Sequence, residues 1–159
     1  MPRPVLRIAA SLAAVLCLPA VASADPPQGV RFDAHVSVGW YRDLGGGVRV
    51  DIPVVQDGIV DGLDDDLRIS LGAEALWFYH HKGFGFYPLA ALQWNFYLSE
   101  EWSIFPEAGF VVLLGQRDHY WRTFIAPLVS FGLRWHFNER NALLFRVSWP
   151  HGGQFGIVF

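Results

Sequence analysis

The chain has 159 residues, of which 12 are Lys or Arg and 15 are Asp or Glu, and its formal net charge is −3 at pH 7. Aromatic residues make up 16% of the chain, whereas Lys82 is its one lysine. Nucleic-acid binding needs a basic cluster, and the sequence has none. A surface that faces water normally carries many charged side chains, so this composition indicates that most of the surface does not face water.

Residues 1–24 have the three parts of a secretory signal peptide. Arg3 and Arg7 form a positive segment, residues 8–22 are apolar, and Ala22-Ser23-Ala24 is a small-x-small cleavage site. The alternative is a retained transmembrane helix, but the apolar run is short of the roughly 20 residues that such a helix needs. We therefore expect export and cleavage.

Cleavage leaves residues 25–159, which are enough for one domain. Cys17 is the one cysteine and lies in the removed segment, so the mature chain has no thiol chemistry. A lipoprotein anchor at Cys17 is disfavoured because Leu16 precedes it, where such signals carry a small residue.

After residue 25 the sequence alternates apolar and small or polar residues with a period of two, which is typical of strands. We predict eight strands, at residues 30–41, 47–56, 67–80, 84–98, 101–115, 121–137, 141–149 and 152–159. In the sixth strand one face carries Ile125, Val129, Phe131, Leu133, Trp135 and Phe137. The other face carries Ala126, Leu128, Ser130, Gly132, Arg134 and His136.

The composition of the polar face indicates which face is inside. A soluble barrel of the lipocalin type also alternates, with its apolar face inward. Here the polar face is rich in Gly and Ser with Arg, Asp, Glu and His, and small residues suit the narrow interior of eight strands. We predict an all-β, eight-stranded antiparallel up-and-down transmembrane β-barrel with a filled polar interior.

Aromatic residues are expected at the two membrane interfaces of such a barrel. One predicted group, at the outer end, contains Trp40, Tyr41, Trp77, Tyr79, Phe84, Phe86, Tyr87, Trp121 and Trp149. The other group, on the periplasmic side with both termini, contains Trp94, Phe96, Tyr97, Trp102, Trp135 and Phe137. The outer loops are then near residues 42–46, 80–84, 115–120 and 149–153.

Three prolines oppose this arrangement, because Pro cannot donate a ladder hydrogen bond and is disfavoured within central strands. Pro88, Pro106 and Pro127 each follow an apolar residue within a predicted strand. We expect bulges near the rims of the barrel at these positions.

The C-terminal pattern Phe155, Ile157, Phe159 places large apolar residues at alternate positions and ends in Phe. In this it resembles the small eight-stranded outer-membrane proteins of Gram-negative bacteria, the OmpX and OmpA-transmembrane-domain class. The resemblance implies an outer-membrane location and recognition of these residues by the barrel-assembly machinery. It also implies contact with outer-membrane lipid and lipopolysaccharide, and we expect a monomer without cofactors.

A charged set is predicted to face the interior, with five cations opposite four carboxylates and two histidines. It consists of Arg31, Asp33, His35, Arg49, Asp51, Arg68, Glu74, Glu107, Arg134, His136 and Arg146. Since unpaired buried charges are costly, we expect a structural network that fills the barrel; a narrow ion or proton path is the alternative.

Two further groups could carry chemistry. A rim cluster of His80, His81, Asp118, His119, Ser148 and His151 has residue types suited to metal binding or acyl transfer, as in an enzyme that modifies lipid A. The preferred interpretation is that these histidines are interfacial or solvated side chains. The acidic turn Asp57, Asp61, Asp64, Asp65 and Asp66 could bind calcium, but lacks the full EF-hand pattern. Without a recognisable catalytic motif, we predict a non-enzymatic protein with a structural or accessory envelope role.

Overall fold

The computed structural model describes residues 29–40, 43–56, 58–79, 83–117 and 120–159, without the side chains of residues 116–117 and 120–121. The predicted signal peptide and its cleavage site lie outside the described residues. No helix in the described ranges is both long and apolar enough to cross a membrane.

Eight antiparallel strands form one closed barrel in which each strand pairs with its neighbours in the sequence and β8 pairs with β1. They are β1 Arg31–Val38, β2 Leu44–Val55, β3 Asp65–Phe78, β4 Gly83–Tyr97, β5 Trp102–Arg117, β6 Tyr120–His136, β7 Ala142–Trp149 and β8 Gly152–Val158. The predicted fold class is confirmed, and all eight strands coincide with predicted ones to within a few residues. The end with both chain termini is called the terminal rim and the opposite end the far rim.

The alternation of side chains gives the barrel an apolar outer surface and a largely polar lumen. In β1 every odd residue from Arg31 to Ser37 is buried and every even one is exposed. Phe110 is 67% exposed and Ile125 is 64% exposed on the outside, whereas Arg134 is fully buried in the lumen. A soluble barrel would have the reverse distribution, so these faces fit a surrounding lipid phase.

The three prolines lie within strands and not in rim bulges, so that expectation was wrong. Pro88 and Pro106 coincide with the two breaks in the β4–β5 ladder, which skips from Phe86 to Leu89 and from Gln93 to Phe96. Each proline thus removes a hydrogen bond where the ladder is already interrupted. The register shift that the described strands do show lies between Pro53 and Val55, where β2 pairs with β3.

The wall of the barrel is uneven at the far rim. β3 to β6 have 14, 15, 16 and 17 residues, whereas β1, β7 and β8 have 8, 8 and 7. For tilted strands each residue adds roughly 2.5 Å of barrel height. The tall side is therefore about 40 Å high and the short side about 20 Å, against an apolar band of about 25 Å in such barrels.

Two apolar clusters lie inside the lumen, one toward each rim. The first, toward the far rim on β3 to β6, contains Leu76, Tyr87, Leu89, Ala91, Val111, Ala126 and Leu128. The second, toward the terminal rim, contains Phe105, Ala142, Leu144 and Val158. Since eight strands enclose just enough space for side chains, these clusters fill the lumen beside its charged groups.

Among the described aromatic side chains, two assignments were wrong; Tyr41 and the side chain of Trp121 lie outside the described part of the chain. Tyr87 and Tyr97 were expected at the membrane interfaces, but both are buried in the lumen. Both side chains point inward in the alternation along β4; the Tyr97 hydroxyl donates to Asp66, and the Tyr87 ring stacks on His151. The glycines at 45 and 46, predicted to be loop, pair as part of β2 with Ser37 and Val36, where a side chain would meet neighbouring backbone.

Candidate functional site: the lumenal charge network

All eleven residues predicted to face the interior are buried there. The structure adds Asp66, which was assigned to the acidic turn but lies inside the lumen on β3. Five arginines (Arg31, Arg49, Arg68, Arg134 and Arg146) therefore face five carboxylates (Asp33, Asp51, Asp66, Glu74 and Glu107). The lumenal charges of the described strands balance without counting histidine.

Glu74 on β3 is the centre of the far half of the network. Its carboxylate accepts hydrogen bonds from Arg49 Nη2 at 2.8 Å, Gln154 Nε2 at 2.5 Å and Ser37 Oγ at 3.2 Å. His151 Nδ1 lies 3.0 Å from the same carboxylate and His35 Nε2 lies 3.5 Å from it. The groups come from β1, β2, β8 and the β7–β8 turn, so Glu74 links the short wall of the barrel to the tall one.

Two arginines join this half to the middle of the lumen. Arg49 Nη1 donates to Glu107 at 3.1 Å. Arg146 Nη2 donates to Asp33 at 3.1 Å, and its Nε lies 3.4 Å from Glu107. Asp33 is also 2.6 Å from His35 Nδ1. Each carboxylate in this part contacts at least two cationic or titratable groups, which is the arrangement that makes buried charge tolerable.

The terminal half is organised around Asp66 and Arg134. Arg68 Nε and Tyr97 Oη donate to Asp66 at 2.7 and 3.0 Å, and Asn95 also donates to it. Arg134 donates to Asp51 at 3.0 Å and to Asn95 at 2.6 Å. Asn95 therefore connects the two ion pairs, because its amide both donates and accepts.

The arginines also pack against apolar groups. The Arg134 guanidinium lies 4.0 Å from the centre of the Phe105 ring, and that of Arg146 lies 5.3 Å from it. Aromatic faces attract cations, most strongly when both are desolvated. Phe105 thus separates two like charges and fills the lumen between them, which leaves little space for a solute.

The predicted rim cluster does not assemble from its described members. His151 was expected at the rim but is buried in the lumen, where its Nδ1 faces Glu74 and its ring stacks on Tyr87 at 5.5 Å. Ser148 Oγ donates to Ser130 Oγ at 3.0 Å, so its described partner is another hydroxyl and not a histidine. The remaining members, His80, His81, Asp118 and His119, lie outside the described residues.

The acidic turn divides between two structural roles. Asp65 accepts hydrogen bonds from Trp94 Nε1 at 2.6 Å and from the backbone of Ile59 at 2.8 Å, which holds the β2–β3 turn against β4. Asp66 belongs to the lumen as described above, and Asp57 lies outside the described residues. Among the residues that the structure describes, no group of three or more His, Cys, Asp or Glu side chains could hold a metal ion.

The C-terminal residues Phe155, Ile157 and Phe159 all lie on the outer surface of β8 or directly after it, about half exposed. The backbone of Phe159 exchanges two hydrogen bonds with Phe32 and completes the β8–β1 seam. The Phe155 ring packs against Phe145 at 4.9 Å. Recognition of these residues by the assembly machinery stays a prediction.

No family model and no curated protein matches the chain. Among solved structures, it is similar to a protein described as "De novo design of transmembrane beta-barrels". The match has a TM-score of 0.58 and 13% identity, and covers 87% of this chain and 98% of the designed one. At that identity the likeness shows the fold alone, which is a closed β-barrel.

Sequence reasoning missed the uncharged members of the network. Gln93, Asn95, Tyr97 and Gln154 are all buried in the lumen. The sequence contained the information needed to place them, since each lies at a position of β4 or β8 whose side chain points into the lumen in the alternating pattern. Asp66 was missed because the start of β3 was predicted two residues too late, which left its carboxylate in the turn.

Proposed function

We propose that this protein is an integral outer-membrane β-barrel protein of a Gram-negative bacterium, with a structural or accessory role in the envelope and a lumen closed to solutes. The observation that carries the proposal is the combination of an apolar outer surface with a charge-balanced, hydrogen-bonded lumen. A transport protein needs an open path, and an enzyme needs a reactive group that can reach substrate. The arginines and carboxylates of the network instead pair with one another.

The closure is supported by the order of the groups along the lumen. The far-rim apolar cluster, the Glu74 group, Phe105 with its two arginines, and the Asp66 group follow one another toward the terminal rim. An ion crossing the barrel would have to displace several arginine–carboxylate contacts at once. Breaking even one such buried pair costs about 3–5 kcal/mol.

Recordings from the purified protein in planar lipid bilayers test the closed lumen. We expect no discrete conductance steps from the wild-type barrel. A matched variant, Glu107→Gln with Arg146→Met, keeps the net charge and similar side-chain volumes but removes the Glu107–Arg146 contact, together with the ion pairs of Glu107 with Arg49 and of Arg146 with Asp33. Regular single-channel steps from the wild-type protein, altered by this double substitution, would contradict the proposal and favour the narrow ion path.

A further inference from the structure

One buried histidine has a carboxylate beside each of its ring nitrogens. His35 Nδ1 lies 2.6 Å from the Asp33 carboxylate, and His35 Nε2 lies 3.5 Å from that of Glu74. All three side chains are fully buried. A neutral imidazole has one N–H donor and one bare nitrogen, whereas an ionised carboxylate only accepts hydrogen bonds. A neutral His35 would therefore direct a lone pair at one of the two carboxylates, and only the doubly protonated ring suits both.

The ladder partners of His35 on both neighbouring strands are glycines, Gly47 of β2 and Gly156 of β8. A Cβ atom at Gly47 would lie 2.9 Å from His35 Nε2, and one at Gly156 would lie 2.6 Å from His35 Cβ. The His35 side chain thus occupies the space that two further side chains would need. Its nitrogens face Asp33 on the same strand and Glu74 on β3.

The ion pairs around these two carboxylates form a connected group that lacks one positive charge. Arg49 contacts both Glu74 and Glu107. Arg146 contacts both Asp33 and Glu107. Two arginines therefore face three carboxylates before any histidine is counted. Because an uncompensated buried charge is costly, one protonated histidine in this group would make it neutral.

The other lumenal arginines are engaged elsewhere. Those of the terminal half each contact a group of that half: Arg31 contacts Tyr97, Arg68 contacts Asp66 and Arg134 contacts Asp51. The balance of arginines and carboxylates over the whole lumen therefore combines a positive excess in the terminal half with a negative excess around Glu74. A protonated histidine corrects the negative excess where it occurs, and the positive charge that then remains in the lumen lies in the terminal half.

We propose that His35 is a proton-binding site, and that it carries its proton, and so a positive charge, in the folded barrel at neutral pH. His151 is the other histidine near this group, with its Nδ1 3.0 Å from Glu74. It faces that carboxylate through one nitrogen, so a neutral ring with its hydrogen on Nδ1 is compatible with the contact. His35 faces carboxylates through both nitrogens and therefore requires the second proton. The site goes beyond the proposed envelope role.

Nitrogen-15 NMR of the folded protein in detergent micelles tests the proton directly. At about pH 7.5 an ordinary histidine, with a pKa of about 6.5, is mostly neutral. We expect both ring nitrogens of His35 to carry a proton under these conditions. His136 is the internal control, because its Nε2 lies 2.8 Å from the Ser103 hydroxyl, which can donate as well as accept; it should be neutral. With uniform nitrogen-15 and carbon-13 labelling, each ring is assigned through its own backbone, so no variant has to fold.

The pH dependence of unfolding tests the same proton thermodynamically. A proton that the folded barrel holds and the unfolded chain releases makes stability fall as the pH rises above about 6.5. The unfolding equilibrium constant then rises roughly tenfold per pH unit. Between about pH 7 and 8 the wild-type protein in lipid vesicles should show this dependence in excess of His35→Gln, whose amide binds no proton. His136→Gln should keep the wild-type dependence, and unboiled gel mobility shows that each variant is folded.

Two results would overturn the proposal. One is a folded wild-type protein in which His35 keeps a bare ring nitrogen at about pH 7.5. The other is an equal pH dependence in the wild-type protein and in folded His35→Gln, which would place the proton on another group such as His151. Both results concern the lumen, so neither would contradict the proposed envelope role.

Discussion

Single residues in the lumen are fixed by the lack of space around them. Gly132 on β6 faces the Phe105 ring so closely that a Cβ atom would overlap it. Phe105 cannot move away easily, because Arg134 and Arg146 lie against the same ring. The glycine is therefore required by packing and not by an unusual backbone conformation.

We predict that Gly132→Ala lowers the free energy of unfolding by about 1–3 kcal/mol, the usual cost of overpacking a filled interior. The measurement is urea unfolding of the barrel in lipid vesicles, followed by tryptophan fluorescence. Gly153→Ala is the control, because no atom lies within 4 Å of the point that an added Cβ would occupy and its stability should change little. Equal stability of both variants would mean that the lumen at Phe105 is not filled.

A substitution at Glu74 tests, by the same unfolding measurement, whether the buried carboxylates are needed to balance the buried arginines. Glu74→Gln keeps the shape of the side chain but removes the negative charge that faces Arg49 at 2.8 Å. Breaking a buried pair in this way should cost about 3–5 kcal/mol, since the buried arginines then outnumber the buried carboxylates by one, although Arg49 keeps its contact with Glu107. Glu101→Gln, in an exposed turn, should be almost neutral; a similar loss in both variants would contradict a pairing role for Glu74.

For a residue on the outer face of a strand, the loss of unfolding free energy on substitution by a charged residue should depend on its depth in the membrane. Val129 on β6 lies seven residues from the strand end at His136, whereas Leu133 lies near Trp135 and the terminal rim. Val129→Arg should cost about 2–4 kcal/mol and Leu133→Arg distinctly less, since the penalty is largest at the midplane. The same unfolding assay measures both, and the reverse order would mean that the barrel is placed differently in the bilayer.

The strands were the part of the structure that the sequence predicted best. Period-two alternation identifies both the strands and their faces, because a shift by one residue would reverse every side chain. Tyr87, Tyr97 and His151 were predicted at the rims on the basis of residue type. The alternation of inward and outward side chains along the strand, and the distance of each residue from the rim, were given too little weight. In the lumen the Tyr97 hydroxyl donates to Asp66, His151 Nδ1 lies 3.0 Å from Glu74, and the Tyr87 ring stacks on His151.

The contacts between strands could not be predicted in the same way. Which arginine meets which carboxylate depends on the stagger between strands, and β1 contacts β8 only when the barrel closes. The pairing of Arg146 with Asp33 joins β7 to β1 across β8, which no local pattern indicates. The extension of β6 beyond β7 at the far rim likewise follows from the register between the two strands and not from the sequence of either one.

At the scale of the whole molecule, the charge-balanced network in the lumen connects the short and tall sides of the barrel wall. The short side of β7, β8 and β1 carries the C-terminal Phe155 and Phe159 and the seam that closes the barrel. Glu74 ties this side to the tall one through His35, Arg49 and Gln154. The network therefore also stabilises closure, because it connects strands on both sides of the seam.

The central claim is that this chain forms a closed barrel with its apolar face toward lipid, and gel mobility of the outer-membrane fraction with and without boiling tests it most directly. A closed, hydrogen-bonded barrel resists detergent until heated, so the unboiled protein should migrate differently from the boiled one and should remain in the membrane after carbonate extraction. Identical mobility, with the protein released as a soluble periplasmic species, would contradict the account.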